Sequence, residues 1–188
     1  MNRFFHVGTE KSWTKKGRVF LNAAAFQVAW FVSVLGAAHG LPWLGPLSVM
    51  TLLASHLYQS PQRSVELTLA LAAGIFGFLF DTALAAGGVF SPVRYWMPAP
   101  LSPLWMVFLW VNFMILLNTS LKWLHGRYIL SALLGAVGGP AAYYGGAELG
   151  ATQDAVSTAG VLVLSVAWGC AVPALFYLAK VVNRMMQS

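Results

Sequence analysis

Apolar residues occur in six long continuous runs along the chain, and short polar segments separate these runs. Within the runs, apolar and polar residues do not alternate as they would along the strands of a membrane β-barrel. A helix that crosses a bilayer needs about 20 consecutive, mostly apolar residues. The pattern therefore predicts an all-α fold, a polytopic membrane bundle of six transmembrane helices. The predicted helices cover residues 19–38, 43–58, 66–86, 101–124, 128–147 and 156–182.

Lysine and arginine segregate between the two sides that this helix count defines. One side holds ten of the 11 basic residues, and the other side holds Arg94 alone. The ten are Arg3, Lys11, Lys15, Lys16, Arg18, Arg63, Lys122, Arg127, Lys180 and Arg184. Because cytoplasmic loops are rich in lysine and arginine, both termini are predicted to be cytoplasmic. We therefore expect a basic cytoplasmic segment over 1–18, a transmembrane domain over 19–182 and a cytoplasmic tail over 183–188. The predicted location is the inner membrane of a bacterium.

Composition supports the membrane interpretation and excludes several other classes. Of the 188 residues, 59% are hydrophobic and only 9% are charged, whereas about a quarter of the residues in a soluble domain are charged. The net charge of +6 does not indicate a nucleic-acid partner, because the basic residues flank the apolar runs. The single cysteine, Cys170, allows no disulfide within the chain.

Two polar residues near the predicted cytoplasmic face lie opposite each other in a helix hairpin. The second and third predicted helices are joined tightly around Ser60 and Pro61, which places His56 close to Glu66. Ionisable groups inside a membrane are costly and are functional candidates by default. This pair is therefore a candidate acid–base site, although its position at the interface, within reach of water and of Arg63, also explains it structurally.

A second set of polar residues lies deeper in the predicted bilayer. Gln27 and Asn112 are expected to form hydrogen bonds between helices. At about 1.5 Å of rise per residue, Asp81 lies at a depth comparable with Tyr143 and Tyr144. A buried aspartate needs a partner, and the sequence offers a tyrosine hydroxyl, Arg94 or a water-filled cavity. A functional and a structural role for Asp81 are equally well supported at this point.

The fifth predicted helix is rich in glycine and contains a proline. Pro140 removes one helical hydrogen bond and is expected to bend the helix. Gly135 and Gly139 lie one turn apart and allow a neighbouring helix to approach closely. Close helix packing is one interpretation of this run, which also includes Gly138. The other is a ligand that rests against exposed backbone.

The sequence shows no motif of a known cofactor or metal site. It contains no HExxH zinc motif, no CxxC pair, no P-loop and no dinucleotide fingerprint. Its four histidines are too few for the clusters of membrane di-iron desaturases. We therefore expect no cofactor and no metal; a haem held between His56 and His125 is the one alternative.

Several short stretches together resemble a known family. They are Asn22, Phe26-Gln27, Trp30, His56-Leu57, Glu66-Leu67, Asp81, Trp110, Phe113, Leu117, the run 120–124 and the run 134–143 followed by Leu149-Gly150. Over about residues 22–150 the chain resembles an uncharacterised family of small proteobacterial inner-membrane proteins, the domain of unknown function 2878. The family has no established catalytic residues, so the resemblance transfers none. The neighbourhood of its genes to those for fatty-acid-modifying methyltransferases and flavoproteins implies a role in membrane lipid modification or envelope stress.

Three functions fit these observations. The first, which we favour, is an accessory protein that binds a membrane lipid or a membrane-protein partner, without enzymatic activity. The second is a small transporter, working as a homo-oligomer, in which Asp81 or Glu66 titrates. The third is a membrane-embedded enzyme that acts on a lipid and uses His56 and Glu66 as an acid–base pair.

Overall fold

The computed structural model describes residues 10–186, with side chains from Lys16 onward. Over these residues the chain folds into helices without a strand, which confirms the all-α part of the predicted fold class. The helices are α1 (Glu10–Ala38), α2 (Leu44–Gln59), α3 (Arg63–Ala86), α4 (Leu104–Asn118), α5 (Tyr128–Glu148) and α6 (Thr158–Met185), with a short 3-10 turn at Lys122–Leu124. Residues 1–9 of the predicted basic segment and residues 187–188 of the predicted tail lie outside the described residues, as do the side chains of Lys11 and Lys15.

The fourth apolar run, 101–124, does not form one continuous helix. α4 ends at Asn118, and a 3-10 turn follows after three residues. Short polar side chains compete with the helix for backbone hydrogen bonds, and Asn118 is followed by Thr119 and Ser120. The Ser120 hydroxyl lies 2.8 Å from the carbonyl oxygen of Val19 and 2.7 Å from Oδ1 of Asn22. It therefore connects the end of α4 to the beginning of α1.

Two glycines end α3 and α5 in the same way. Gly88 and Gly150 have φ angles of +69° and +85°, a conformation that favours glycine. The following amides donate back into the helices, from Val89 to the Leu84 carbonyl at 3.0 Å and from Ala151 to the Gly146 carbonyl at 2.9 Å. This pattern satisfies helix-end carbonyls that otherwise lack a donor.

The segments that follow these glycines meet at one end of the bundle, and we call them together the cap (residues 87–103 and 149–157). Two backbone hydrogen bonds join them, from the amide of Val93 to the carbonyl of Ala151 at 2.9 Å and from the amide of Gln153 to the carbonyl of Ser91 at 2.7 Å. The indole N–H of Trp105 donates to the Val93 carbonyl at 3.1 Å. The cap thus links the α3–α4 connection to the α5–α6 connection.

α4 is the central helix of the bundle. Its neighbours are α1, α2 and α3, while α5 packs along α6 and α6 in turn contacts α3. Nine of its 15 residues are buried, and its sequence is apolar on every side, as expected for a helix without a solvent face. Because α5 makes its main contacts with α6, its face towards α1 and α4 is left largely uncovered.

The outer surface of the bundle is apolar. Large side chains such as Phe20, Ile75, Ile129 and Val166 are between 64% and 81% exposed, an arrangement that water does not tolerate over large areas. Within the described residues, the parts of three helices that are long and apolar enough to cross a membrane are Lys16–Ala38, Arg63–Ala86 and Thr158–Met185. α4 is apolar but shorter. These features support a membrane protein.

Candidate functional site

A cavity of about 510 Å³ lies between α1, α4 and α5, and we call it the lateral cleft. Its lining includes Phe26, Gln27, Trp30 and Val34 of α1, Trp105, Leu109, Trp110 and Phe113 of α4, and Leu134, Gly138, Ala142 and Gly146 of α5. Its volume falls within the range of about 300–1,000 Å³ that is typical of small-molecule sites. Along α5 the lining extends from Leu134 to Gly146, which corresponds to about 18 Å of helix.

The lateral cleft is closed at the cap and open between α1 and α5. At the closed end, the Phe90 ring packs edge-on against Tyr143 with ring centroids 4.8 Å apart. Further from the cap, Gln27 of α1 and Gly138 of α5 line the cleft and are exposed, and Leu134 is 46% exposed. The opening therefore faces the apolar outer surface of the bundle.

The glycines of α5 differ in their surroundings. A methyl group on Gly135 would lie 2.4 Å from the backbone oxygen of Trp168, and one on Gly139 would lie 2.1 Å from Cγ of the same residue. These two glycines allow α6 to pack closely on α5. A methyl group on Gly138 or Gly146, by contrast, would meet nothing within 4 Å. These two leave backbone uncovered in the cleft.

Pro140 lies within α5, and the helix continues through it from Tyr128 to Glu148. The ring is buried. Proline removes the donor that would bond the carbonyl four residues earlier, which is that of Ala136. Pro140 therefore places a break in the backbone hydrogen bonding in the middle of the glycine-rich segment.

Asp81 lies at the closed end of the cleft and is completely buried. Its Oδ2 accepts a hydrogen bond from the indole N–H of Trp110 at 2.8 Å, and its Oδ1 accepts one from the Tyr143 hydroxyl. The predicted tyrosine partner is therefore present. Arg94 is not a partner, because its Nε donates to the Leu101 carbonyl at 3.1 Å.

Two tryptophans that the sequence analysis did not propose as site residues complete this end of the cleft. The rings of Trp110 and Trp168 are stacked, with centroids 4.5 Å apart and an angle of 11° between the planes. The Trp168 indole N–H is buried and lies close to the Tyr143 hydroxyl, but outside good hydrogen-bond geometry. In an otherwise apolar helix, nothing in the sequence distinguishes a tryptophan that donates to a buried acid from one that only packs.

Gln27 and Asn112 have different environments. Nδ2 of Asn112, which is buried, donates to the Phe26 carbonyl at 3.0 Å and so connects α4 to α1 as predicted. Gln27 is exposed in the wall of the lateral cleft. Its side chain makes no hydrogen bond within the described part of the chain, so the bond between helices that we expected for Gln27 is not formed there.

His56 and Glu66 are brought together at the opposite end of the bundle from the cap. Nε2 of His56 lies 3.2 Å from Oε2 of Glu66, and their side chains are 20% and 19% exposed. Nδ2 of Asn118 donates to the same oxygen at 3.0 Å. Neither His56 nor Glu66 lines the lateral cleft. The pair therefore forms a separate polar cluster between α2, α3 and α4.

His125 lies after the 3-10 turn, with its ring edge-on to Phe176 at a centroid distance of 4.9 Å. Burial lowers the pKa of its imidazole below the usual value, and the nearby charge of Lys122 acts in the same direction. Within residues 10–186, no group of three or more histidine, cysteine, aspartate or glutamate side chains is arranged to hold a metal ion.

The chain belongs to the family described as a protein of unknown function, DUF2878, whose model matches residues 19–174. This match extends further towards the C-terminus than the resemblance seen in the sequence. No curated protein and no solved structure matches the chain.

Proposed function

We propose that the chain is a six-span protein of the bacterial cytoplasmic membrane with both termini in the cytoplasm. Trp43, Tyr95 and Trp96 lie together at the cap end, as expected of aromatic residues at a membrane interface. Most of the basic residues flank the opposite ends of the helices. α2 and α4, with 16 and 15 residues, are about 24 and 22 Å long. Spans this short suit a locally thinned bilayer.

Its proposed function is to bind a membrane lipid, as an accessory to a membrane enzyme of lipid modification or in envelope stress. The lateral cleft is the observation that carries this proposal. It is lined almost entirely by apolar side chains and glycines, and its length of about 18 Å compares with about 15 Å for the hydrocarbon of one leaflet. A single lipid chain therefore matches its shape and chemistry better than a polar metabolite does.

The opening between α1 and α5 gives a lipid chain a direct route from the bilayer. A chain that leaves the surrounding hydrocarbon gains little from the hydrophobic effect, because lipid tails are as apolar as the cleft. Affinity must then come from packing against the aromatic side chains of α4 that line the cleft and from polar contacts. We therefore expect selectivity among lipids rather than very tight binding.

A leucine at Gly138 tests this proposal, because its side chain would project into open space in the cleft. The matched control is Gly17→Leu, which is also helical, also has nothing within 4 Å of the added carbon and does not line the cleft. The measurement is mass spectrometry of the lipids that copurify with each variant. We expect Gly138→Leu to lose a lipid that wild type and Gly17→Leu retain.

The same variants in a deletion strain connect binding to cell physiology. We expect deletion to change membrane lipid composition, and Gly17→Leu but not Gly138→Leu to restore it. Identical lipid contents in all three purified proteins would contradict the binding function. A turnover of lipid by the purified wild type would contradict the accessory role.

The His56–Glu66 contact supports a second candidate, a lipid-modifying enzyme. Their separation of 3.2 Å is close to the distance over which a general acid and base exchange a proton. Loss of function in His56→Ala and Glu66→Gln, with copurified lipid unchanged, would favour this enzyme over the accessory protein. For the homodimeric transporter, Asp81→Asn is the decisive variant, because transport by a titrating Asp81 requires its carboxyl group.

A further inference from the structure

The closed end of the lateral cleft contains the only acidic side chain among the described residues that line it. Asp81 belongs to the lining, whereas lysine, arginine and histidine are missing from it. An anion placed here would be buried in an apolar environment without a cation to pair with it, which is costly. Fatty-acid anions and phosphate groups are therefore disfavoured as occupants of this end.

The hydrogen atoms of Trp110 and Tyr143 are already engaged in this cluster. Each donates to a different oxygen of Asp81. A carboxyl group can accept more than two hydrogen bonds, and a phenolic oxygen whose proton is engaged still acts as an acceptor. Asp81 and Tyr143 therefore retain capacity to accept a further hydrogen bond.

One donor in the cluster is poorly satisfied. The indole N–H of Trp168 is buried and lies close to the Tyr143 oxygen, but outside good hydrogen-bond geometry. A buried donor that lacks a good partner costs up to about 1–3 kcal/mol. The cluster thus has one poorly satisfied donor next to unused acceptors, and a hydroxyl group can accept from the one and donate to the others.

We propose that the lateral cleft takes a neutral single-chain lipid with a hydroxyl group, a long-chain alcohol or a monoacylglycerol, and that the hydroxyl lies beside Tyr143, Asp81 and Trp168. The aliphatic chain then extends from the cap towards the opening between α1 and α5. This inference rests on the proposed lipid-binding function and specifies the ligand for the same site. The volume of about 510 Å³ suits a ligand with one chain, and the aromatic residues of α4 pack along it.

Binding can be followed through the tryptophans that line the cleft, since bromine atoms on a lipid chain quench their fluorescence. The probes are dibrominated octadecanol, the methyl ester of dibromostearate and the dibromostearate anion, titrated into detergent-solubilised protein at a pH where the acid is ionised. The ester accepts but does not donate a hydrogen bond, and the anion carries the excluded charge. We expect the alcohol to bind about fivefold more tightly than the ester and the anion to bind most weakly.

Tyr143→Phe removes the phenolic oxygen from the cluster, and Tyr144→Phe is the matched control, because Tyr144 is the next residue of α5, is 52% exposed and does not line the cleft. Because Tyr143→Phe leaves Oδ1 of Asp81 without its donor, and only the alcohol can replace that donor, we expect the alcohol-to-ester preference to rise by about another fivefold in Tyr143→Phe and to stay unchanged in Tyr144→Phe. Equal binding of alcohol and ester to the wild type would overturn the inference, and so would an unchanged preference in Tyr143→Phe.

Gly138→Leu separates this inference from the function on which it rests. If all three probes quench the wild type equally and Gly138→Leu abolishes the quenching, lipids bind in the cleft without recognition of a hydroxyl group. If no probe gives quenching that depends on Gly138, the proposed function fails as well. If Tyr143→Phe does not fold, the comparison of alcohol and ester binding to the wild type still tests the inference.

Discussion

Gly138 and Gly139 are adjacent in α5, yet the structure predicts opposite effects when each is replaced by alanine. A methyl group on Gly139 would lie 2.1 Å from Cγ, 2.5 Å from Cδ1 and 2.6 Å from Cβ of Trp168. These atoms would have to move away by more than an ångström to reach an ordinary contact distance. On Gly138, the same methyl group would meet no atom within 4 Å.

Rotation of the Trp168 side chain cannot relieve this clash. Its Cβ is fixed to the backbone of α6, and its ring is stacked on Trp110 at 4.5 Å. α6 must therefore move away from α5. Overpacking of this kind costs about 1–3 kcal/mol, and the better helix propensity of alanine returns at most about 1 kcal/mol.

The assay is thermal unfolding of the purified variants in the same detergent. For a chain of this size, 1 kcal/mol corresponds to about 2–4 °C in Tm. The net loss of about 1–2 kcal/mol leads us to expect Gly139→Ala to unfold about 2–8 °C below the wild type. Gly138→Ala is expected to unfold at the wild-type temperature or up to about 4 °C above it. Equal Tm values for the two variants would refute the close packing of α5 on α6.

Three further substitutions test other contacts by the same measurement. Trp110→Phe leaves Oδ2 of the buried Asp81 without its donor, and we expect a loss of about 1–3 kcal/mol; a Tm equal to that of the wild type would disprove that contact. Asn112→Leu removes a bond between α4 and α1, for which we expect about 0.5–2 kcal/mol; a higher Tm would show that this bond contributes nothing. Glu66→Gln ends the ion pair with His56 but leaves both side chains partly exposed, so we expect less than about 1 kcal/mol; a large loss would point to a stronger role for this pair.

The helical character of the bundle follows from the apolar runs, because in hydrocarbon every backbone group must bond within its own segment. The exact helix ends do not follow as directly. The run 101–124 contains Asn118, Thr119 and Ser120, but the hydroxyl of Ser120 ends the helical stretch only because α1 presents Val19 and Asn22 to it. That contact depends on tertiary structure.

The candidate site was predictable in part. Counting residues along two helices places Asp81 level with Tyr143 and Tyr144, and the structure joins it to Tyr143. The role of Trp110 as a donor to Asp81 could not be predicted in this way. Its helix is apolar on all sides, so the sequence pattern does not show which of its residues face Asp81. The cap could not be predicted either, since its two segments lie on opposite sides of α4 and α5 in the sequence and come together where α6 packs against α3.

The proposed function depends on six membrane crossings with the cap outside the cytoplasm. Cysteine labelling in whole cells tests this most directly, with Cys170 replaced by serine and single cysteines introduced as Ser60→Cys, between α2 and α3, and Gln153→Cys, in the cap. A membrane-impermeant maleimide is expected to label the cysteine at position 153 in intact cells and the one at position 60 only after lysis. Labelling of both positions from the outside, or of neither, would contradict the six-span arrangement.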